Sequence, residues 1–225
     1  MPLAGKGMLL TSMDIDPSHE ADFNRWYDRE HLEERVAIPG FLEARRYVAH
    51  QGAPKYLCLY STETFDVLDS PAYRAKLASP TDWSSKTMAR FKNMIRAVAR
   101  VTISHGNGRG GALGIIRLRA SAGSEDKLRA ALREKLDPEK SDGIISMHLI
   151  ESDPVLSKPI SESPSVSDPG AADWFVLIDG TNVNAIAAAI AAHFGGPAAF
   201  QGGTQVSAGV YNLMWDLAKS EIPAV

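Results

Sequence analysis

One stretch of the chain concentrates the side-chain types that acid–base chemistry uses. It runs from residue 23 to residue 35 and reads FNRWYDREHLEER. His31 is the leading catalytic candidate, because an imidazole both accepts and donates a proton near neutral pH. Tyr27 and Asp28 precede His31 by about one helical turn, so either could position its ring. An ordinary pair of Asp28 with His31 on a surface helix is the alternative interpretation.

A helical projection of this stretch places carboxylates among aromatic rings. At about 100° per residue, the residues that share one arc are Phe23, Trp26, Tyr27, Glu30 and Glu34. A buried carboxylate needs a cationic partner, which we expect to come from Arg45 or Arg46 on the next strand. The alternative is that both glutamates lie at the rim of the helix and contact solvent.

The strand after this helix predicts a second cluster of polar side chains. Successive side chains of a strand point to opposite faces. In residues 41–49 one face carries aliphatic side chains, which suit packing on helices: Leu42, Ala44 and Val48. The set that would then face a barrel interior is Phe41, Glu43, Arg45 and Tyr47. The same alternation in the second half of the chain sends Ile145, Met147 and Leu149 toward helices and Ile144, Ser146 and His148 inward.

Arg45 and His148 fall at equivalent positions of the two halves. Two inward cationic groups would bind a carboxylate, phenolate or enolate, since a low-dielectric pocket strengthens such contacts. The alternative is a structural network in which Arg45 pairs with Glu43 or Glu34 and His148 is bonded to the backbone.

Aromatic residues supply a candidate wall for a small-molecule site, although most aromatic side chains in a chain of this size belong to the core. The residues predicted to contact substrate are Arg45, Tyr47, His148, Trp26, Trp83 and Glu34. Arg117 and Arg119 share one face of a strand and invite the same anion-binding interpretation, but a solvated edge strand is favoured for them.

The elements that must position these residues follow the order βαββαβ in the first half. Hydrophobic periodicity predicts strands over 8–15, 41–49, 56–61 and 98–104. It predicts helices over about 17–38 and 64–97, the second interrupted at 79–81. Pro39 and Gly40 end the first helix. Residues 1–105 therefore form a first unit.

The second half repeats this order without repeating the sequence. Its predicted strands are 113–119, 144–151, 174–179 and 206–217, and its predicted helices are 125–136 and 183–194. Four glycines in residues 106–111 predict a flexible linker over 106–112, which makes 113–225 the second unit. A Ser/Pro-rich loop over 154–172 interrupts that unit, and a lid and disorder are both open for it.

The motif WYDxEHxxER at 26–35, with Pro39-Gly40-Phe41 and ARRY at 44–47, resembles the EthD-like branch of the dimeric α/β-barrel superfamily. The similarity covers about residues 6–103. It implies an α+β fold of two tandem ferredoxin-like βαββαβ units whose antiparallel sheets pair within one chain, and a small-molecule pocket in each unit. EthD-like proteins also carry histidine at the position of His31. The wider superfamily includes cofactor-free monooxygenases, isomerases, lyases and haem enzymes, so the resemblance fixes fold better than reaction.

Composition narrows the partners. The 225 residues include 24 Lys and Arg against 27 Asp and Glu, a formal net charge of −3, which argues against nucleic acid or an anionic membrane as partner. The sequence shows no signal peptide and no apolar run near the ~20 residues of a membrane span. With Cys58 as its sole cysteine, the chain is expected in the cytoplasm. We expect a small-molecule substrate, and a homodimer of such chains is compatible with the fold.

Nothing in the sequence matches a nucleotide loop, a metal-ligand motif or a nucleophile elbow, which predicts neither cofactor nor metal. Haem ligation through His193 or His148 stays open.

Together these features predict a cofactor-independent enzyme of lyase, decarboxylase or isomerase type that moves a proton on a small aromatic or carbonyl-containing metabolite. His31 would shuttle the proton, Asp28 or Tyr27 would position it, and Arg45 with His148 would stabilise negative charge. The alternatives are a non-catalytic small-molecule-binding or accessory protein and a cofactor-free monooxygenase. A cavity shared by His31 and Arg45 would favour an enzyme, and a barrel filled by side chains would favour a binding or structural role.

Overall fold

A computed structural model of the chain describes residues 3–158, 171–196 and 200–223. Its strands are β1 (Gly7–Asp14), β2 (Phe41–Gln51), β3 (Tyr56–Thr62), β4 (Lys92–Gly106), β5 (Ala112–Ala120), β6 (Ile144–Ser152), β7 (Trp174–Gly180) and β8 (Gly203–Ala218). Its α-helices are α1 (Glu20–Trp26), α2 (Leu32–Val36), α3 (Pro71–Ala78), α4 (Asp82–Met88), α5 (Glu125–Lys135) and α6 (Val183–Phe194). A π-helical turn, Tyr27–His31, joins α1 to α2 without a break. None of the described helices is long and apolar enough to cross a membrane.

The eight strands form one closed antiparallel barrel in the order β1-β3-β2-β8-β5-β7-β6-β4. Within the first half the spatial order is β4-β1-β3-β2, and the second half repeats it as β8-β5-β7-β6. The two four-stranded sheets meet at two seams, where β2 pairs with β8 and β4 pairs with β6. The predicted α+β class and the closing of two sheets within one chain are therefore confirmed.

The central strands of each sheet are buried on both faces. The inner faces fill the barrel with a core that includes Met8, Leu10, Tyr47, Leu57, Leu113, Phe175 and Tyr211. The outer faces pack under helices in two separate clusters, one under α1 and α2 and one under α5 and α6. Strands β3 and β7 are consequently buried along their whole length, which explains why they read as continuous apolar runs.

Capping residues fix where the helices begin and end. Asp16 accepts a hydrogen bond from the backbone N–H of Ser18, and Pro17 follows it at the first position of a short 3-10 turn that leads into α1. Gly40 adopts a φ of 84°, which the chain needs to turn from α2 into β2. Asn182 caps α6 by accepting hydrogen bonds from two backbone N–H groups.

The predicted helix over 64–97 is wrong at its end. The helical segment stops at Met88, and β4 begins at Lys92. Residues 95–99 alternate between the barrel core, which takes Ile95, Ala97 and Ala99, and the helix side, which takes Val98. Arginine at 96 interrupts the apolar alternation, so helical periodicity fits the segment equally well.

A register shift overturns part of the inward set in each half. The shift in β2 lies between Phe41 and Glu43, and Phe41 packs with Tyr60 and Tyr73 under the helices instead of facing the barrel. In β6 the shift follows Ile144, which likewise packs on the helix side. A bulge adds one residue to a strand and reverses the facing of everything before it.

Two side chains of the barrel bond to the glycine-rich linker. Arg45 donates a hydrogen bond to the Gly110 carbonyl oxygen at 2.8 Å, and Ser146 donates one to the Gly108 carbonyl oxygen at 2.9 Å. The linker is therefore attached to strands of both halves. Most of the predicted 154–172 loop, residues 159–170, lies outside the described residues.

The prediction of a solvated edge strand for Arg117 and Arg119 is wrong. Their strand β5 is paired on both sides, with β7 and β8. Both guanidinium groups contact the buried carboxylate of Asp173, at 2.5 and 2.7 Å.

Candidate functional site

The π-helical turn sets which side chains of the first helix face the sheet. The backbone N–H of Leu32 donates to the carbonyl oxygen of Tyr27, five residues earlier. Such a turn holds one residue more than an α-helical turn, so it rotates all later residues back by about 100°. Leu32, Arg35 and Val36 thereby join Phe23 and Tyr27 on the buried side.

His31 lies inside an aromatic enclosure. Its ring stacks on Trp26 with centroids 4.0 Å apart and an interplanar angle of 28°. Tyr27 meets the ring edge-on at 5.2 Å, and Tyr60 of β3 lies 6.4 Å away. Trp26 is fixed in turn, because its Nε1 donates to Glu30 and Ser84 at 3.1 Å each.

The sheet under this helix carries a row of polar side chains across its four strands. The strand register places Arg96 of β4 opposite Thr11 of β1, Thr11 opposite Cys58 of β3, and Cys58 opposite Arg46 of β2. We call these four residues the polar row. It forms the floor below Tyr27 and His31, with an arginine at each end.

Arg46 is the cation on the same side of the sheet as His31. Its Nη1 donates to Asp28 at 3.1 Å and its Nη2 to Asn24 at 2.5 Å. The guanidinium carbon lies 4.2 Å from the centroid of the Tyr27 ring. Trp215 of β8 also donates to Asp28, at 3.0 Å. Asp28 thus neutralises Arg46 and does not orient His31, which corrects the role predicted for it.

Burial holds the ionisable groups of this site in their neutral forms. It lowers the pKa of His31 well below the ordinary value, and the nearby charges of Arg35 and Arg46 lower it further. Burial likewise raises the pKa of Tyr27 and of Tyr60. The Cys58 thiol has its pKa raised to about 12 for the same reason. At neutral pH the site therefore presents a neutral imidazole, two phenols and a thiol.

Two buried polar atoms of the site, His31 Nδ1 and Arg46 Nε, lack a hydrogen-bond partner among the described residues. The hydroxyl groups of Thr11 and Tyr60 lie near the Tyr27 hydroxyl and act on its pKa as hydrogen-bond partners. A buried polar atom without a partner costs free energy of about 1–3 kcal/mol, so a ligand that supplied partners for His31 and Arg46 would be stabilised here. The His31 imidazole accepts a proton, the Tyr60 phenol forms hydrogen bonds and the Arg46 guanidinium attracts negative charge. These three groups suit a ligand that loses a proton and becomes anionic.

The structure divides the predicted site in two. His31, Tyr27, Trp26 and Asp28 lie on the helix side of the first sheet, whereas Arg45, Tyr47 and His148 lie on the barrel side. Adjacent residues of a strand face opposite ways, so Arg45 and Arg46 point to different sides of β2. The expected cavity shared by His31 and Arg45 is therefore contradicted, and the barrel is filled by side chains. An enzymatic role consequently depends on the helix-side residues alone.

The barrel-side residues bond mainly to one another, although Arg45 Nε and Tyr47 OH lack a hydrogen-bond partner among the described residues. Arg45 Nη1 lies 3.1 Å from Asp179 Oδ1, and Asp179 also accepts from the backbone N–H of Gly110 at 3.3 Å. His148 bonds to Ser104 at 2.8 Å and Ser146 at 2.9 Å. Burial raises the pKa of Asp179 against the opposing effect of Arg45. The predicted anion between Arg45 and His148 is thus a carboxylate of the chain itself.

Glu43, the remaining inward carboxylate, pairs with Arg109 of the linker rather than with Arg45. Neither network expected for Arg45, with Glu43 or with Glu34, forms.

The two remaining predicted contacts lie at the margin of the helix-side site. Trp83 of α4 is half-buried, with the guanidinium of Arg25 6.0 Å from its ring centroid. Glu34 pairs with Lys76 of α3 at 3.3 Å. Neither glutamate of the predicted stripe pairs with Arg45 or Arg46, because Glu30 accepts hydrogen bonds from Trp26, Ser84 and Thr81.

The second half has no counterpart of the polar row among its described residues. The strand register aligns Ala208, Ile116, Val176 and Leu149 across β8, β5, β7 and β6. All four belong to or pack against the apolar cluster under α5 and α6. The helix-side chemistry is confined to the first half.

Sequence reasoning missed Arg96 as a residue of the site, because Arg96 lay inside the segment that was predicted to be helical. It did expect Arg46 as a possible partner for Glu30 or Glu34, and Arg46 pairs with Asp28 instead. Within the described ranges, no three His, Cys, Asp or Glu side chains are grouped to hold a metal ion.

Comparison with known proteins identifies the fold and no family. No protein-family profile and no curated protein matches the sequence. Among solved structures, an anthrone oxidase-like protein superposes with a TM-score of 0.65 at 10% identity, over 96% of this chain and 94% of its own. A protein of Lactobacillus acidophilus, provisionally assigned as a monooxygenase, gives 0.54 at 9% identity over 96% and 97%. A haem-binding protein of Thermus thermophilus gives 0.52 at 10% identity over 97% and 93%. At these identities the likeness concerns the backbone alone, and together with the closed eight-stranded sheet it shows that the chain has the dimeric α/β-barrel fold.

Proposed function

We propose that the chain is a cofactor-independent enzyme that takes a proton from a small aromatic or carbonyl-containing metabolite, with His31 as the base. The observation that carries this proposal is the buried, unpartnered Nδ1 of His31. It lies in an aromatic enclosure above a row of polar side chains that ends in Arg46. An aromatic substrate would pack against rings, lose its proton to Nδ1 and place the resulting charge toward Arg46.

The low pKa of His31 is compatible with this role. Burial and two neighbouring guanidinium groups keep the imidazole neutral and able to accept a proton. When the substrate becomes anionic, its charge offsets the effect of Arg35 and Arg46 and raises the proton affinity of the ring. Proton transfer and charge formation would therefore support each other.

Among the reactions that begin with this step, we favour oxidation by dioxygen. The similar structures include an anthrone oxidase-like protein and a provisionally assigned monooxygenase. In this reaction an activated CH₂ loses a proton to His31, and the resulting carbanion forms a C–O bond to dioxygen. The peroxide takes the proton back, and water leaves with the second hydrogen, so that CH₂ and O₂ become C=O and H₂O. A lyase or an isomerase would share the first step and consume no oxygen.

Haem chemistry does not fit the two histidines that the sequence offers for it. Both ring nitrogens of His148 are bonded to serine hydroxyls, and its ring is fully buried. His193 Nε2 bonds to Ser141 at 2.9 Å. We derive no step through haem.

We further propose that residues 1–105 and 113–225 are tandem ferredoxin-like units, the first of EthD-like type. The repeated strand order β4-β1-β3-β2 and β8-β5-β7-β6 supports this division.

A paired histidine experiment tests the function. Screening phenols and activated methylene compounds with an oxygen electrode should find a substrate, and His31→Asn should lower its kcat/KM at least 100-fold. The control is His50→Asn, because His50 is exposed on β2. Turnover without oxygen uptake would favour the lyase or isomerase outcome, and ligand binding without turnover would favour a binding protein. Unchanged turnover in His31→Asn would rule out its role as base.

A further inference from the structure

Two buried arginines beside the helix-side site lack a carboxylate partner among the described residues. Arg35 is 5% exposed, makes no side-chain hydrogen bond in that part of the chain, and has a fully buried Nη1 without an acceptor. Arg96 is 8% exposed, and its guanidinium donates to the carbonyl oxygens of Leu156 and Lys158 and to the Tyr73 hydroxyl.

The other buried arginines of the fold differ in this respect. Arg45 pairs with Asp179, Arg46 with Asp28, and Arg117 with Asp173. Removing a guanidinium from water is unfavourable unless an anion compensates it. Within residues 3–158, 171–196 and 200–223 a carboxylate accompanies those three arginines, and none is paired with Arg35 or Arg96.

Both arginines lie beside aromatic rings that lead away from His31. The charge of Arg35 acts on the pKa of His31 and of Tyr60, and Arg96 contacts Tyr73. Ring centroids are 6.4 Å apart from His31 to Tyr60, 6.4 Å from Tyr60 to Phe41, and 5.5 Å from Phe41 to Tyr73. The Tyr73 hydroxyl contacts Arg96 at the β4 end of the polar row. Arg35 follows His31 by four residues on the buried face of the helix.

We propose that the substrate carries a permanent carboxylate, which Arg35 and Arg96 bind while its reacting carbon lies at His31. This inference rests on the proposed function and adds the substrate class to it. It also gives the three arginines near the site, Arg35, Arg46 and Arg96, different roles in binding. Arg46, already paired with Asp28, meets the charge that develops during the reaction, whereas Arg35 and Arg96 recognise the charge that the substrate brings.

The second half contributes one wall of this anion site. The Leu156 carbonyl oxygen holds the guanidinium of Arg96, and the Ser157 hydroxyl accepts from the backbone N–H of Val98 on the same strand at 2.9 Å. The start of the predicted 154–172 loop therefore fixes Arg96 against β4.

Matched acids and amides test the inference without requiring turnover. Isothermal titration calorimetry would compare benzoate, 2-hydroxybenzoate, 4-hydroxybenzoate and 1-hydroxy-2-naphthoate with the amide of each. The wild-type chain should bind at least one acid tenfold or more tighter than its amide. Arg35→Gln and Arg96→Gln should remove that preference, and Arg35→Lys should retain part of it. Arg74→Gln is the control, because Arg74 is an exposed arginine paired with Asp69. Circular dichroism would establish that each variant is folded.

Three results would overturn the inference: equal binding of acid and amide, binding of neither in every pair, or an undiminished preference in both glutamine variants. Its failure is distinct from failure of the proposed function. A lost preference for acids with His31-dependent turnover would remove the carboxylate alone, whereas intact acid binding with His31-independent turnover would remove the proposed base.

Discussion

Each ring nitrogen of His148 forms a hydrogen bond with a serine hydroxyl, and the side chain is fully buried. Its Nε2 also lies 4.0 Å from Asp179. Burial lowers the pKa of His148 to about 3, and the positive charges of His105 and Arg109 act in the same direction. The imidazole is therefore a neutral hydrogen-bonding element that ties β6 to β4.

This neutral histidine should make the chain sensitive to acid. In the unfolded chain its pKa is about 6.5, so below that pH the unfolded state binds a proton that the folded state does not. The stability contribution is complete above pH 6.5 and declines as the pH falls toward 3. Between pH 7 and pH 5 the loss should be about 2 kcal/mol.

Urea unfolding at pH 7 and pH 5 measures this loss. His148→Asn keeps hydrogen-bonding capacity toward both serines and should lose about 2 kcal/mol less than the wild type over the same interval. The exposed His50→Asn should follow the wild type. An identical pH dependence in His148→Asn would show that His148 is not the group responsible.

Neighbouring residues show how far sequence reasoning reached at this scale. Alternation along β2 correctly places Arg45 and Tyr47 on the barrel side and His148 opposite them. The same rule assigns Arg46 to the His31 side, so of the two arginines expected as partners of the helix carboxylates only Arg46 could reach the helix; it pairs with Asp28 and with neither glutamate. That the counter-ion of Arg45 is Asp179, 134 residues away, depends on barrel closure and on no local pattern.

Among the elements, the π-helical turn determines the composition of the site. An ideal helix would bury the first part of the segment or the second part, since the two apolar faces are offset by about one residue. The extra residue in the turn aligns them, which brings His31 and Arg35 over the sheet together.

Removing Arg29, an exposed residue of this turn, should separate the two faces. The deletion restores α-helical spacing and rotates α2 by about 100° relative to α1. We expect a fall in stability of about 2–4 kcal/mol, because Leu32 and Val36 lose contact with the core. Chemical unfolding measures it, and Arg29→Ala is the control, with a change within about 0.5 kcal/mol. A stable deletion variant with an intact site would contradict this account of the turn.

Strands were easier to predict than helix geometry. The short, continuous apolar runs of β3 and β7 predict buried strands, and the predicted bounds agree with the observed bounds to within one residue. The π-turn has no residue signature in this sequence. The start of β4 was missed because Arg96 interrupts the apolar alternation of its helix side, so that a helical period fitted the segment equally well.

At the scale of the whole molecule, strand pairing across two seams holds the halves together. Strand β2 pairs with β8 and β4 pairs with β6, and the Arg45–Asp179 ion pair also bridges the halves, whereas Glu43 pairs with Arg109 of the linker. The covalent linker keeps the two halves close together, but the interface between them is already extensive without it.

A chain divided within the linker should therefore still assemble. Fragments 1–107 and 108–225, co-expressed with an affinity tag on the first, should copurify in equal amounts and keep the circular dichroism spectrum of the intact chain. Arg45→Met in the first fragment should weaken the association, since it leaves Asp179 buried without its cation. Recovery of the tagged fragment alone would show that the linker itself is required.

Closure of the barrel also decides how this chain can meet another protein. An open four-stranded sheet offers its outermost strands as templates to any extended peptide, whereas here every strand of the eight already has a neighbour on each side. Strand addition and edge-to-edge stacking between copies are thereby restricted to short stretches at strand ends, such as 92–97 of β4 and 203–209 of β8, which pair with a neighbour on one side only. Elsewhere on the described surface, a second copy or any other protein has to recognise side chains.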